Sequence, residues 1–550
     1  MIIIELKNNK GFKWFEKDFI IFKGFVFDKS NNIYRNEKIA NLFLDIENPE
    51  EFALKLNSIN GSFSVIIKKN EKVFAAVDTL RSLPLFYIKQ NGTFFISDDG
   101  WYLIRRADLW ELDDAGISEF LLSGYTVGNF TLFNNLQQLQ AGQYLYYNNE
   151  THELKLDFYY KHLHGNYHNL NKEEYYERLD LLYKNVFSRL IESVQGRPIV
   201  IPLSSGYDSR SIAAMLKKLD YKNVICFTYG RPESFEVQTS EKVAKKLEYK
   251  WYFINYTDKD DWYKLIRDEK YLFFASNASS LPHIQEYIAI SVLKNKSLLP
   301  EDAIFVPGFC GDLLGGSYVP WEIISCQERL LFKEGVEDYV FSRYFNLDNK
   351  IPIEFIKKIR ERISEELQKL GSNNIKNVLD FDSVAEAFFT NHKVSKFVVN
   401  ALRPYEHFGY EWRMPLWDKE LYEFYYKVPL QYRIIGNKIY NDYLNKKLFS
   451  QLGIDYRKRS EPITLLRKKF IGYSYISDKI WELLRNIYWK LNPNKKGQID
   501  FNAFTILYEI CKEELNGITH SYSSPNNINS IFSLWFIEKF LKLYFIKGNH

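Results

Sequence analysis

The chain has 550 residues, of which 46% are hydrophobic, and its 73 basic side chains stand against 69 acidic ones for a net charge of +4. That length exceeds a single core and sets an expectation of two domains, and the near-balance of charge leaves no electrostatic footprint for nucleic acid. The cysteines, Cys226, Cys310, Cys326 and Cys511, have no CxxC pair or other close spacing, so neither a zinc site nor a disulfide framework is indicated, and a reducing, cytoplasmic setting fits. Met1 to Lys7 offers too few apolar residues for a signal-peptide core, and no uninterrupted apolar run approaches a membrane span.

In chain order, short alternating or apolar segments predict strands at Met1 to Leu6, Phe19 to Val26, Gly61 to Lys68, Lys72 to Asp78, Leu85 to Lys89, Phe94 to Ser97 and Gln143 to Tyr147. Asn91-Gly92 is a hairpin turn signal between two of them. From Asn171 the period changes to that of a helix reaching about Glu192, with Leu179, Leu182, Val186 and Leu190 on one face. Strand 199–203, helix 209–219, strand 224–229, helix 233–248 and strand 251–254 then alternate as a right-handed βαβαβ unit. A further apolar run, Ala303 to Val306, leads into Gly308, and beyond about 325 the chain reads as mostly helical. The predicted class is a β-rich N-terminal part followed by an α/β part with a parallel sheet and a helical C-terminal region.

Chemistry concentrates in two loops. The first, Leu203-Ser204-Ser205-Gly206-Tyr207-Asp208-Ser209, joins a buried-type strand to a helix. Small side chains let an anion reach the backbone, and the N–H groups and dipole of a helix start favour negative charge. It is not a Walker loop, because no lysine follows its glycine, and an aspartate beside phosphates calls for magnesium. The second loop, Gly308-Phe309-Cys310-Gly311-Asp312-Leu313-Leu314-Gly315-Gly316, also follows a strand and also carries one aspartate. Ligands of open parallel sheets sit beyond the carboxyl ends of strands, so the two loops are placed to close on one pyrophosphate with Asp208 and Asp312 sharing the metal. Taken singly, each loop also reads as an ordinary connection, with the serines of the first capping its helix.

The segment 204–209 resembles the Ser-Gly-Gly-x-Asp-Ser loop of the ATP pyrophosphatases, in a setting similar to the asparagine synthetase branch. Asn60-Gly61-Ser62-Phe63 and the run Asp78 to Tyr87 resemble strands of that family's glutaminase domain, and Glu236 with Ala244 resembles its helix after the second strand. Gly308 to Gly316 resembles its second pyrophosphate loop, and Gly409-Tyr410-Glu411-Trp412-Arg413-Met414-Pro415-Leu416-Trp417-Asp418 is similar to its Gly-x-Glu-x-Arg-x-Pro-Phe-Leu-Asp segment. The resemblance implies a glutaminase-like β-sandwich over 1–165 and an ATP pyrophosphatase (PP-loop) domain with a helical C-terminal region over 170–550. It implies an ATP- and Mg2+-dependent, AMP-forming ligase that adenylates a carboxylate and transfers it to ammonia or an amine. The backbone at Phe227, Thr228 and Tyr229 is expected against the adenine. Lys458, in Arg457-Lys458-Arg459, is the catalytic lysine candidate, with a solvated basic turn as the equal alternative.

Departures from the pattern bear on nitrogen delivery. The family's glutamine-hydrolysing members carry a cysteine after the initiator methionine, where a thiol with a free α-amino group does the hydrolysis. Ile2 stands there, no cysteine precedes Cys226, and ammonia is expected from solution or from a separate glutaminase. Phe309 occupies the place of a glutamate in the amide-forming members, and Ser205 replaces a glycine, which calls for its side chain to turn outward. His283 and Gln285, in a segment that lines the acceptor pocket in the family, are the candidate substrate readers, although Pro282 starting a helix would make His283 a first-turn residue. The acceptor leans towards a uronic acid of bacterial surface polysaccharide, on a nucleotide or lipid carrier, with aspartate, an intramolecular amide and a catalytically degenerate scaffold open. The aromatic stretch Ile531 to Leu541 reads as a buried terminal helix in preference to a membrane-surface one.

Overall fold

The computed structural model describes residues 1–319, 333–347, 351–434, 438–456, 500–516 and 527–541. The N-terminal strands are β1 (Ile2–Ile4), β2 (Trp14–Lys17), β3 (Ile20–Phe27), β4 (Ile33–Arg35), β5 (Asn60–Lys69), β6 (Lys72–Val77), β7 (Phe86–Gln90), β8 (Thr93–Ser97), β9 (Gln137–Gln138), β10 (Gln143–Asn148) and β11 (Leu154–Phe158). They form one sheet in the order β1-β8-β7-β9 and a second in the order β11-β10-β6-β5-β3-β2, with β4 paired to β3. The period of two decides what each face meets. Along β6, Val73, Ala75 and Val77 pack with Tyr87, Phe94 and Ile96 of the smaller sheet. Phe74 and Ala76 point the other way, onto Phe52 and Leu56 of the helix Pro49–Asn57. At Asn91 (φ 49°) and Gly92 (φ 72°) both turn residues are left-handed, as a two-residue hairpin between β7 and β8 requires. Strands β2 and β4 escaped the sequence reading because they are short, half-exposed and lack a clean apolar alternation, whereas β11, Leu-Lys-Leu-Asp-Phe, does alternate and escaped it all the same.

The helix Lys172–Val194 opens on a capping box in which the Asn171 side chain accepts from the Glu174 N–H and the Glu174 carboxylate accepts from the Asn171 N–H. Beyond it come β12 (Ile199–Pro202), β13 (Val224–Gly230), β14 (Lys250–Asn255), β15 (Ile304–Phe305) and β16 (Glu411–Trp412). These are parallel and ordered β14-β13-β12-β15-β16. The order reverses at β12, with β13 on one side and β15 on the other, so the loops after β12 and β15 leave together from the switch point where such sheets bind ligands. Among the described residues the C-terminal region is otherwise helical, as expected, and β16 is its exception. Two residues are too few to show a period, and β16 exists only through its pairing with Ile304 and Phe305.

Buried polar contacts join the sandwich to the parallel sheet. Asn60 Nδ2 donates to Asp418 Oδ2 at 3.0 Å, and Arg189 binds the same carboxylate through Nε at 3.0 Å and Nη2 at 2.8 Å. Lys396 Nζ donates to the carbonyls of Thr126 at 2.7 Å and Gly128 at 2.6 Å. Helix Ile528–Trp535 continues as the π-helical turns Phe536–Leu541, and the Phe536 ring lies 5.5 Å from that of Phe120. Ile531, Phe532, Leu534, Trp535, Phe536 and Ile537 are buried, as expected of a packed terminal helix. Among the described residues no helix is long and apolar enough to cross a membrane.

Candidate functional site

Gly206 caps the helix Tyr207–Lys218 with no side-chain hydrogen bond, so the serines do not cap that helix as the alternative reading supposed. They fold the loop on itself instead. Ser204 Oγ accepts the Gly206 N–H at 3.1 Å and lies 3.0 Å from Ser209 Oγ, which also accepts the Ser204 N–H at 3.0 Å. Ser205 donates its N–H to Glu236 Oε2 at 2.7 Å, and its carbonyl accepts from Arg210 Nη2 at 3.2 Å. Ser205 is held inward by that pair of bonds. Its side chain is buried with Oγ unpartnered, which corrects the expectation that it turns outward. With the amides of Ser204, Ser205 and Gly206 engaged, an incoming anion meets the first helical turn at Tyr207 to Ser209, where N–H groups have no intrahelical acceptor. Leu203 is buried beneath, its carbonyl accepting from Thr228 Oγ1 at 2.8 Å.

The second loop lies directly over the first. A Cβ on Gly308 would stand 2.6 Å from the Ser209 nitrogen, and one on Gly311 would stand inside the Asp208 carboxylate and 2.7 Å from the Asp208 Cβ. Neither position admits a side chain while Asp208 keeps its place. Cys310 takes a left-handed φ of 70° to turn the chain into Gly311–Leu314, whose first turn holds Asp312. Burial pushes the Cys310 thiol up, and the nearby carboxylates of Asp208 and Asp312 push it further. The two aspartates therefore share one small region. A cradle that a Cβ would fill, two carboxylates and the start of a helix fit a divalent cation held with the phosphates of a nucleotide; Asp208 and Asp312 would hold it, and it would supply positive charge.

At the carboxyl end of β13, Phe227 is fully buried and Thr228 nearly so. The Tyr229 ring stacks on Tyr256 at 4.8 Å, and its hydroxyl donates to Glu286 Oε1 at 3.0 Å. Glu286 is buried, and its other oxygen lies 2.7 Å from His283 Nε2. The His283 ring lies edge-on to Phe309 at 6.4 Å, so the second loop touches the segment expected to read the substrate. His283 is not a first-turn residue: the helix begins at Tyr287 with Glu286 as its N-cap, because Tyr271 and Tyr256 bond the carbonyls of His283 and Gln285 and hold them in an open segment. Glu286 escaped the sequence reading, since nothing local distinguishes it from a solvated carboxylate.

Two arginines tie the loops to the C-terminal region. Arg210, fully buried, donates at 2.8 Å to the carbonyls of both Ile454 and Tyr456. Lys458 and Cys326 lie outside the described residues. A Cβ on Gly316 would overlap the carbonyl of Arg433, whose guanidinium pairs with Asp382 and, at 3.2 Å, with Glu386. Arg433 had no signal in the sequence, because its partners sit some fifty positions away on another helix. Glu411, Arg413 and Asp418 form ion pairs with each other or with Arg197 and Arg189.

Residues 178–281 match the family Asn_synthase, described as asparagine synthase. Over 503 residues the chain is 21% identical to a Methanocaldococcus jannaschii protein named "Putative asparagine synthetase (glutamine-hydrolyzing) 1", covering 88% of this chain and 76% of that one. Among solved structures, an NH3-dependent NAD synthetase from Campylobacter jejuni in complex with the nitrate ion is 18% identical, with 42% of this chain and 96% of that chain covered and a TM-score of 0.22. A glutamine PRPP amidotransferase from B. subtilis complexed with ADP and GMP is 10% identical, with 44% and 72% covered and a TM-score of 0.19.

Proposed function

We propose, for this member of the asparagine synthetase family, an ATP-dependent, AMP-forming ligase that activates a small-molecule carboxylate and transfers its acyl group to ammonia or an amine. The carrying observation is the closure of two strand-end loops on each other, in which Gly308 and Gly311 give up their side chains to the space of Asp208 and Ser209. A carboxylate oxygen attacks the α-phosphorus, the bond from that phosphorus to the bridging oxygen breaks, and pyrophosphate leaves against the first turn at Tyr207 to Ser209. The amine nitrogen then attacks the acyl carbon, AMP departs with the bonding pair, and the nitrogen loses a proton. Magnesium held by Asp208 and Asp312 would neutralise charge growing on the pyrophosphate.

Lys458 takes the role of a second cation at the phosphates. Arg210 of the first loop holds the Tyr456 carbonyl at 2.8 Å, and Lys458 follows two residues on in the sequence. Residues 1–165 act as a glutaminase-like sandwich without hydrolytic chemistry, for no cysteine precedes Cys226, and residues 170–550 carry the ligase chemistry. Nitrogen then comes from free ammonia, a separate glutaminase or an amine of the substrate. Around the acceptor, His283 and Gln285 contribute polar groups, and the resemblance of the loops favours a uronic acid of surface polysaccharide over aspartate or a ring-closing substrate.

A nucleotide-binding scaffold without chemistry is the second reading, favoured by the packing of Phe309 against His283 where the family places a glutamate. Exchange of labelled pyrophosphate into ATP, with magnesium and a panel of uronic acids, aspartate and peptides, separates the two. Exchange with any carboxylate supports the ligase, and mass spectrometry of the product formed with ammonium identifies the acceptor. A chain that binds ATP yet exchanges nothing across the panel is a scaffold.

A further inference from the structure

At the opposite, amino-terminal end of the parallel sheet lies a cavity of about 580 Å³, between the sandwich and the strands β12 and β16. Its position follows from register: Glu411 pairs with Ile304 at the start of β15, and Arg197 stands just before β12. The charged lining is Lys13, Arg35, Lys38, Arg197, Arg413 and Glu411, five cations against one carboxylate, an excess of four. That carboxylate is already taken, by Arg197 Nη1 at 2.7 Å and Arg413 Nη2 at 2.8 Å.

Arg35 is the odd member. Its Nε and Nη2 are buried and have no hydrogen-bond partner among the described residues. These nitrogens form one edge of the guanidinium, the edge that binds an oxyanion through two parallel N–H···O bonds. Burial lowers the Arg35 pKa, Glu411 opposes that, and Arg197 adds to it. An anion in the cavity would relieve the repulsion between Arg35 and Arg197. Phe12, Phe15 and Phe25 also line the cavity and supply an apolar wall. Guanidinium stacking already engages that wall, with Arg413 lying 4.3 Å over the Phe25 ring.

We propose that this cavity binds a phosphate group, held by the Arg35 guanidinium and neutralised by Lys13 and Lys38. The excess of four positive charges matches a phosphate or diphosphate better than a single carboxylate, and the volume and aromatic wall suit a ligand with an organic part. Its place at the far end of the sheet makes it independent of the loops at 203–209 and 308–316.

The test uses the full chain, with uridine 5′-diphosphate and inorganic phosphate as separate probes. Calorimetry measures affinity, and hydrogen exchange of residues 33–42 locates the ligand. Protection of that segment is expected, with binding about tenfold to a hundredfold weaker in the Arg35→Gln, Lys38→Gln double variant. The exposed Lys13→Gln substitution, which cannot disturb the core, is expected to weaken binding in the same direction by a smaller factor. Tighter binding of the nucleotide than of phosphate identifies an organic phosphate as the ligand, and equal binding identifies free phosphate. Unchanged affinity in both variants, or protection confined to residues 203–209, overturns the proposal.

Discussion

The side chain of Asp208 occupies the space that a Cβ on Gly311 would need, with the Asp208 Cβ itself only 2.7 Å from that point. Two residues a hundred positions apart are thereby fitted to one another, and the fit is testable by a single methyl group. Gly311→Ala should displace the Asp208 carboxylate, cost about 1–3 kcal/mol in stability, and lower ATP–pyrophosphate exchange by about a hundredfold, since a shift near 1 Å suffices for that loss. Gly315→Ala is the control. Its nearest neighbours would lie at 3.6 Å, ordinary contact, and exchange should stay close to that of the unaltered chain.

Glu236 makes a second prediction, because its carboxylate fixes the first loop through the Ser205 N–H at 2.7 Å. Hydrogen bonds to a charged partner contribute about 1.5–3 kcal/mol. In Glu236→Ala the loop loses that brace before ATP arrives and must be ordered by binding. The KM for ATP should rise about tenfold or more while kcat changes little, the pattern of lost uniform binding. A kcat that falls as far as kcat/KM would place Glu236 in the chemical step instead.

These loops were legible in the sequence because small residues, glycines and a strand-then-helix rhythm are local signals, and β12, β13 and β14 fell close to their expected bounds for the same reason. What escaped is non-local. Glu411 and Trp412 carry no period and become a strand only beside β15. The pairing of Asn60 with Asp418 spans most of the chain, and Arg35 acquires its cavity only when Lys13, Arg197 and Glu411 are brought to it by two different sheets. Ser205 misled the reading because the direction of one side chain depends on how its backbone is held, by Arg210 nearby and by Glu236 some thirty positions on.

Arg433 supports the second loop from below, its carbonyl lying against Gly316 and its buried guanidinium between Asp382 and Glu386. Arg433→Met leaves two carboxylates buried without their cation, which costs about 3–5 kcal/mol. Urea unfolding should show that loss as a lower midpoint. Adding Asp382→Asn and Glu386→Gln removes the stranded charge, and the triple variant should recover most of the stability. If the triple variant is no more stable than Arg433→Met, the loss comes from packing at Gly316 and not from charge.

The last prediction concerns acid. Burial alone would raise the Glu411 carboxyl, but Arg413 and Arg197 outweigh it and hold the group at about 2, below its ordinary 4.5. A carboxyl with a lowered folded-state pKa stabilises the fold fully above 4.5, and that contribution is lost as pH falls towards 2. The difference amounts to about 3 kcal/mol. Other carboxylates titrate over the same range, so the informative quantity is the gap between the unaltered chain and Glu411→Gln. Denaturant midpoints should differ most above pH 5 and converge as pH drops through 4 and 3, because protonation does to Glu411 what the substitution has already done. A gap that stays constant with pH would mean that Arg197 and Arg413 find other partners at once, and that the ion pair does not join β16 to the turn before β12.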